Sequence, residues 1–159
     1  MDIINDLDSL KIDSRSPLLV AGRIWFDIGG SAFPGERWSD SPLSVLGSLG
    51  EALSRVVEDG EGDVYFFEGP FFVKLLADGA TDGYSRVRVC GVRDAPMRGA
   101  EEPVGVVEAE SRARMVDLID CCALRVREFK AWASEIGERE VSDILGTMDA
   151  KLSSLRGTL

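Results

Sequence analysis

The apolar positions change their period along the chain, and each change marks an element. Ile3, Ile4, Leu7 and Leu10 recur at helical spacing with Asp2, Asp6 and Asp8 between them, which predicts a short N-terminal helix over residues 2–12. Leu18 to Ile28 reads as a strand: Ile24, Trp25 and Phe26 are strand formers, and Gly29-Gly30 ends the run. Residues 29–42 form a Gly-, Pro- and Ser-rich loop that carries Phe33 and Trp38. Ser41-Pro42 then supplies an N-cap and a proline at the first helical position. The helix that follows shows Leu43, Leu46, Leu49, Leu53 and Val56 or Val57 on one face. Gly47 and Gly50 weaken it by about 1 kcal/mol each relative to Ala, and leave room for a neighbour to approach.

Beyond an acidic turn at residues 58–63, Val64 to Phe67 and Phe71 to Leu76 read as a hairpin around Glu68-Gly69-Pro70. Phe66, Phe67, Phe71, Phe72, Val73 and Leu75 do not alternate with charge. The hairpin is therefore either covered on both faces or partly reserved for a partner. Asp78 to Gly83 is a second turn. Tyr84 to Arg93 is a strand that opens on the alternation Arg86, Val87, Arg88, Val89. Asp94 to Pro103 is a loop, and Val104 to Val107 a last short strand. From Glu108 the pattern turns helical, with Met115, Leu118, Ile119, Cys122, Val126, Phe129, Ala133 and Ile136 on one stripe and Gly137 as the stop. A final helix carries Val141, Ile144, Leu145, Met148, Leu152 and Leu155. The short link makes these two helices antiparallel neighbours. The expected fold is a single α+β domain over residues 1–159. It has a mostly antiparallel sheet of four to five strands, packed with a central helix and two C-terminal antiparallel helices.

Composition narrows the function more than the fold. With 45% apolar and 29% charged residues in 159, the chain can bury a core without a disulfide or metal staple. A net charge of −10 disfavours nucleic acid and anionic membrane surfaces, and steers basic partners inward. The three cysteines Cys90, Cys121 and Cys122 show neither zinc nor thioredoxin-like spacing, and read as free thiols of a reducing, cytoplasmic setting. The first residues lack the basic and apolar regions of a secretion signal, and no stretch has the length of a membrane span.

No histidine occurs, which removes Ser-His-Asp and Cys-His hydrolases and most zinc or iron centres. The Gly-rich segments match no Walker or dinucleotide pattern, and the acidic turn lacks the ligand order of a calcium loop. No catalytic residue, cofactor or metal site is expected.

The candidate contact residues are Trp38, Asp40, Glu58, Asp59, Glu61, Glu68 and Phe71. Trp38 and Asp40 sit together in the long loop, where Trp is either an interface anchor or a core plug and Asp40 either a contact or a helix cap. Glu68 and Phe71 place a carboxylate beside an aromatic at the hairpin tip. Glu58, Asp59 and Glu61 offer acids to a basic partner, or form a solvated turn. Arg86 and Arg88 share a strand face and suit either an anion or neighbouring carboxylates.

Phe33-Pro34, Trp38-Ser39-Asp40-Ser41-Pro42, a short helix and then Phe66-Phe67-Glu68-Gly69-Pro70-Phe71 resemble segments of small bacterial immunity proteins that accompany polymorphic or contact-dependent toxins. The resemblance covers about residues 33–76. It implies a cytoplasmic protein that neutralises a basic toxin domain by tight binding. Two other expectations stand beside it. One is a small-molecule-binding domain or carboxylate-based enzyme with a pocket lined by Tyr65, Arg86 and Arg88. The other is a homodimer paired through its C-terminal helices.

Overall fold

The computed structural model describes residues 1–13, 16–78, 86–95 and 104–159. In chain order the elements are β1 (Asp2–Asp13), β2 (Ser16–Ile28), β3 (Ser31–Phe33), β4 (Ser39–Asp40), α1 (Pro42–Asp59), β5 (Glu61–Tyr65), β6 (Phe71–Ala77), β7 (Arg86–Ala95), β8 (Val104–Arg114), α2 (Met115–Glu135) and α3 (Arg139–Gly157). The fold is α+β with antiparallel sheets, as the pattern predicts. Its strands divide into two four-stranded sheets. The first runs β1-β2-β3 with β4 also on β2, and the second runs β5-β6-β7-β8. Most of the turn expected at 78–83 and most of the loop expected at 94–103 lie outside the described residues.

The N-terminal segment is a strand, which corrects the expected helix. Ile3 pairs with Phe26 and Asn5 with Ile24, but between Asp6 and Lys11 the register breaks. Ser9 Oγ donates to the carbonyl of Asp6 and accepts the N–H of Arg23, so residues 7–10 bulge against β2. The bulge shifts the phase of an alternating strand, and Ile3, Leu7 and Leu10 then fall at a spacing that imitates 3.6 residues. The start of β1 is tied to α2: the guanidinium Nε of Arg125 donates to the carbonyl of Ile3 at 2.6 Å.

A second correction concerns residues 108–114, expected as the start of a helix. They continue β8, and the helix begins at Met115. Ala109 and Ala113 pair with Gly91 and Val87, so small residues alternate with Glu110, Arg112 and Arg114. Ala, Glu and Arg favour helix locally, but pairing with β7 overrides that preference. Glu108 is the extra residue of a bulge, since Gly91 pairs with Ala109 and Val92 with Val107.

The three helices match their expected faces except at Ile136, which follows the last residue of α2 as its C-cap and is exposed. Ser41 Oγ caps α1 by accepting from the N–H of Ser44, and Pro42 opens the helix. α2 and α3 are antiparallel: Asp120 meets Arg156, Arg127 meets Asp149, and Ser134 meets Ser142. One buried cluster takes residues from both sheets and all three helices, including Ile3, Phe26, Leu49, Leu53, Val73, Val89, Leu118, Phe129 and Leu145. None of the described helices is long and apolar enough to cross a membrane.

Two glycines permit this packing. A Cβ on Gly91 of β7 would come within 2.7 Å of the Phe33 ring, which packs against the strand at that glycine. A Cβ on Gly62 of β5 would overlap the carbonyl oxygen of Ala52 on α1. Gly50 on α1 has no atom within 4 Å of such a Cβ. Gly62→Ala should therefore cost roughly 2–3 kcal/mol of stability by overpacking, whereas Gly50→Ala should add up to about 1 kcal/mol. Urea denaturation of the two variants checks this pair of opposite signs; a neutral Gly62→Ala would remove the close contact.

Candidate interaction surface

Four of the seven candidate residues meet at one place, the junction between the two sheets. Asp40 ends β4, is 3% exposed and is the one buried charged side chain among the described residues. Its Oδ1 accepts from the N–H of Ser41 at 2.7 Å. Its Oδ2 accepts from the indole Nε1 of Trp38 at 3.2 Å, and from the backbone N–H groups of Phe67 and Glu68 at 2.9 and 3.1 Å. A buried carboxylate is tolerated where donors surround it. Here the donors come from the loop before α1 and from the β5–β6 turn, so one side chain fastens the first sheet to the second. Ser41, not Asp40, is the helix cap.

An aromatic chain runs beside this clamp. Phe26 and Phe66 lie 5.3 Å apart between centroids, Phe33 meets Phe66 at 6.0 Å and Phe71 at 5.8 Å, and Trp38 stands edge-on to Phe71 at 5.1 Å. Trp38 and Phe71 are half-buried, and Glu68 is exposed at the turn. The turn is longer than the expected three residues. Phe66 N–H donates to the carbonyl of Phe71, and the two N–H groups that follow it turn to Asp40.

Glu58, Asp59 and Glu61 lie elsewhere. They sit at the far end of the hairpin, separated from the turn by the length of β5, about 17 Å. Glu58 and Asp59 are exposed at the end of α1, and Glu61 lies with Asp63 near Lys74, at 3.7 and 3.5 Å.

The outward face of the second sheet is ordered in rows by its register. Tyr65, Phe72, Val92 and Val107 are directly opposite one another across all four strands. Tyr65 is 52% exposed and Val107 53%, Val92 between them is buried, and Phe67 in the adjoining turn is 58% exposed. Tyr65 and Phe72 rings lie 6.2 Å apart. The next row is Asp63, Lys74, Cys90 and Glu110, and the one after it Glu61, Leu76, Arg88 and Arg112. Tyr65 and Arg88 thus stand two rows apart on an open face, and Arg86 borders a shallow recess with Arg112, Ala113, Arg114 and Asp117. Tyr65 and Phe67 were visible in the sequence as part of a two-sided apolar hairpin. Val106 and Val107 were not, because a short run of valines reads equally well as core.

A separate apolar cleft of about 360 Å³ lies between α1 and α3, lined by Leu46, Gly47, Gly50, Ile144, Met148 and Leu152 and crossed at its mouth by the Glu51–Lys151 ion pair at 2.9 Å. Among the described residues, no group of three or more His, Cys, Asp or Glu is placed to hold a metal ion.

Burial disfavours the thiolate of both helix cysteines. Burial pushes the Cys122 thiol up to about 12, with Cys121 adding to the effect. Burial, and then the hydrogen bond to Asp2, push Cys121 up to about 11. The thiolate is the reactive form, so neither should alkylate in the folded chain at neutral pH at the rate of a free thiol. Iodoacetamide labelling read by mass spectrometry checks this, and fast modification of Cys122 before unfolding would contradict it. For the clamp, Asp40→Asn keeps the shape but turns an amide N–H₂ toward N–H donors, and should cost roughly 3 kcal/mol in urea denaturation. No protein-family model matches the sequence, and no curated protein or solved structure matches it.

Proposed function

We propose that this chain is a protein-binding module that neutralises a basic partner by covering it, in the manner of a bacterial immunity protein, and that the outward face of the second sheet is its docking surface. The observation that carries this reading is the row Tyr65, Phe72, Val92 and Val107, exposed at its two ends, with exposed Phe67 in the adjoining turn. Apolar and aromatic side chains in one contiguous, partly exposed row are the composition of an interface core. Charge argues for the kind of partner. The row is flanked by Asp63 and Glu110 on one side, with Lys74 ion-paired to Asp63 between them, by Asp94 on the other and by Glu68 at the turn, within a chain of net charge −10. Such a rim attracts Lys and Arg and speeds encounter at low salt. Glu58, Asp59 and Glu61 extend the acidic border at the far end of the hairpin.

In this reading the seven candidate residues divide by role. Glu58, Asp59, Glu61 and Glu68 contact the partner. Asp40, Trp38 and Phe71 hold the turn that presents Phe67 and Glu68. The resemblance of residues 33–76 to immunity proteins supports the same class of function and a cytoplasmic setting.

The test uses the tagged full chain as bait in a lysate of the organism that encodes it, beside the double variant Tyr65→Ala with Phe67→Ala. Both positions are exposed, so the variant should melt within a few degrees of the parent. The reading expects a stoichiometric basic protein that is released by salt and lost with the variant. Retention of the same proteins by parent and variant, or no basic protein held by the parent at low salt, would overturn it.

A further inference from the structure

The opposite end of the same sheet face is basic, against the composition of the chain. Arg88 pairs directly with Arg112, and Arg86 with Arg114. The four are exposed, and they occupy two adjacent rows of the outward face. Directly opposed side chains on antiparallel strands have Cβ atoms about 5 Å apart, and alternate rows stand about 7 Å apart along a strand. Three of the four, Arg86, Arg112 and Arg114, border one recess, and Arg88 stands in the adjoining row beside Arg112.

Like charges placed opposite each other destabilise a strand pair, and this sequence does so twice in succession while carrying 28 acidic residues against 18 basic ones. Among the described residues two carboxylates answer the four charges. Asp78 Oδ2 accepts from Arg112 Nε at 2.7 Å, and Asp117 pairs with Arg114 at 2.5 Å. Glu110 stands in the next row, beside Cys90. Among the described residues Arg86 and Arg88 make no ion pair, so about two positive charges remain unanswered. The start of α2 adds to the same corner. Its N-cap is Arg114, which makes no side-chain capping bond, and Asp117 of its first turn lines the recess with Arg86, Arg112 and Arg114. A helix start carries partial positive charge and unpaired N–H groups.

We propose that this arginine corner, Arg86, Arg88, Arg112 and Arg114, binds the phosphoryl group of a small phosphate-bearing ligand. A residual charge near two matches a dianion. Guanidinium forks pair in bidentate fashion with tetrahedral oxyanions, and three phosphoryl oxygens accept more of the available N–H groups than the two of a carboxylate. Binding would also remove the repulsion that the register builds into β7 and β8.

The experiment follows arginine side-chain Nε–Hε signals of the full chain by ¹⁵N NMR. Methyl phosphate and inorganic phosphate are titrated at about pH 7.5, where a phosphate monoester is largely dianionic. Acetate and sodium chloride at matched ionic strength serve as controls. The expected result is a saturable shift of the Arg86 and Arg88 signals with phosphate that the controls do not produce. Tighter binding of methyl phosphate identifies an esterified ligand, and tighter binding of inorganic phosphate the free ion. Arg86→Gln with Arg88→Gln should abolish the saturable shifts at Arg112 and Arg114 without lowering Tm, because it relieves like-charge opposition; Arg55→Gln, on α1, should leave them intact. Phosphate shifts no larger than those from chloride would overturn the site. Equal binding of acetate would overturn the choice of phosphate, as would persistence of the shifts in the double variant.

Discussion

The buried carboxylate of Asp40 is the constraint on which the arrangement depends. Two four-stranded sheets must be joined where the chain passes from the first sheet through α1 to the second. Aromatic packing brings them close, but ring contacts between Phe26, Phe33, Phe66, Phe71 and Trp38 fix no register. The Asp40 carboxylate does, since its bonds to the N–H groups of Phe67 and Glu68 are directional and close to water-free. It also uses Trp38, which keeps the indole against the turn instead of in solvent.

That junction decides what the second sheet presents. The inward side of the β5–β6 hairpin is used up against α1 and the first sheet, through Val64, Phe66, Val73 and Leu75. With the turn held by Asp40, Tyr65 and Phe72 are left on the other side, and Phe67 stands exposed in the turn. The register then lays out apolar, mixed and basic rows in that order across four strands. One mixed row separates the apolar row from the arginine corner, so the two chemistries occupy different parts of one face, outside the core.

Much of this was legible in the sequence, and the misses have physical causes. The α1 start at Ser41-Pro42, the α2 stripe ending at Gly137 and the antiparallel α2–α3 pair follow from caps and periodicity, which are local. β1 was misread because its bulge converts a period of two into a spacing like that of a helix. The second half of β8 was misread because its inward residues are Ala, Ser and Ala, small enough to pack beneath the first sheet yet helix-favouring on their own. The division into two sheets depends on which strands pair at long range, which no local pattern encodes. Of the candidate residues, sequence proximity grouped Trp38 with Asp40 and Glu68 with Phe71. Only the fold joins these two pairs, and only the fold sends Glu58, Asp59 and Glu61 to the other end of the hairpin.

Amide hydrogen exchange at Phe67 and Glu68 tests the central claim most directly. Both residues are exposed at a turn, where unbonded N–H groups exchange freely. If Asp40 fastens the sheets, these two amides exchange only through the opening that also releases the β6 core, at a free energy near that of global unfolding. Exchange at the rate of an open turn, with the β6 amides still protected, would contradict the account.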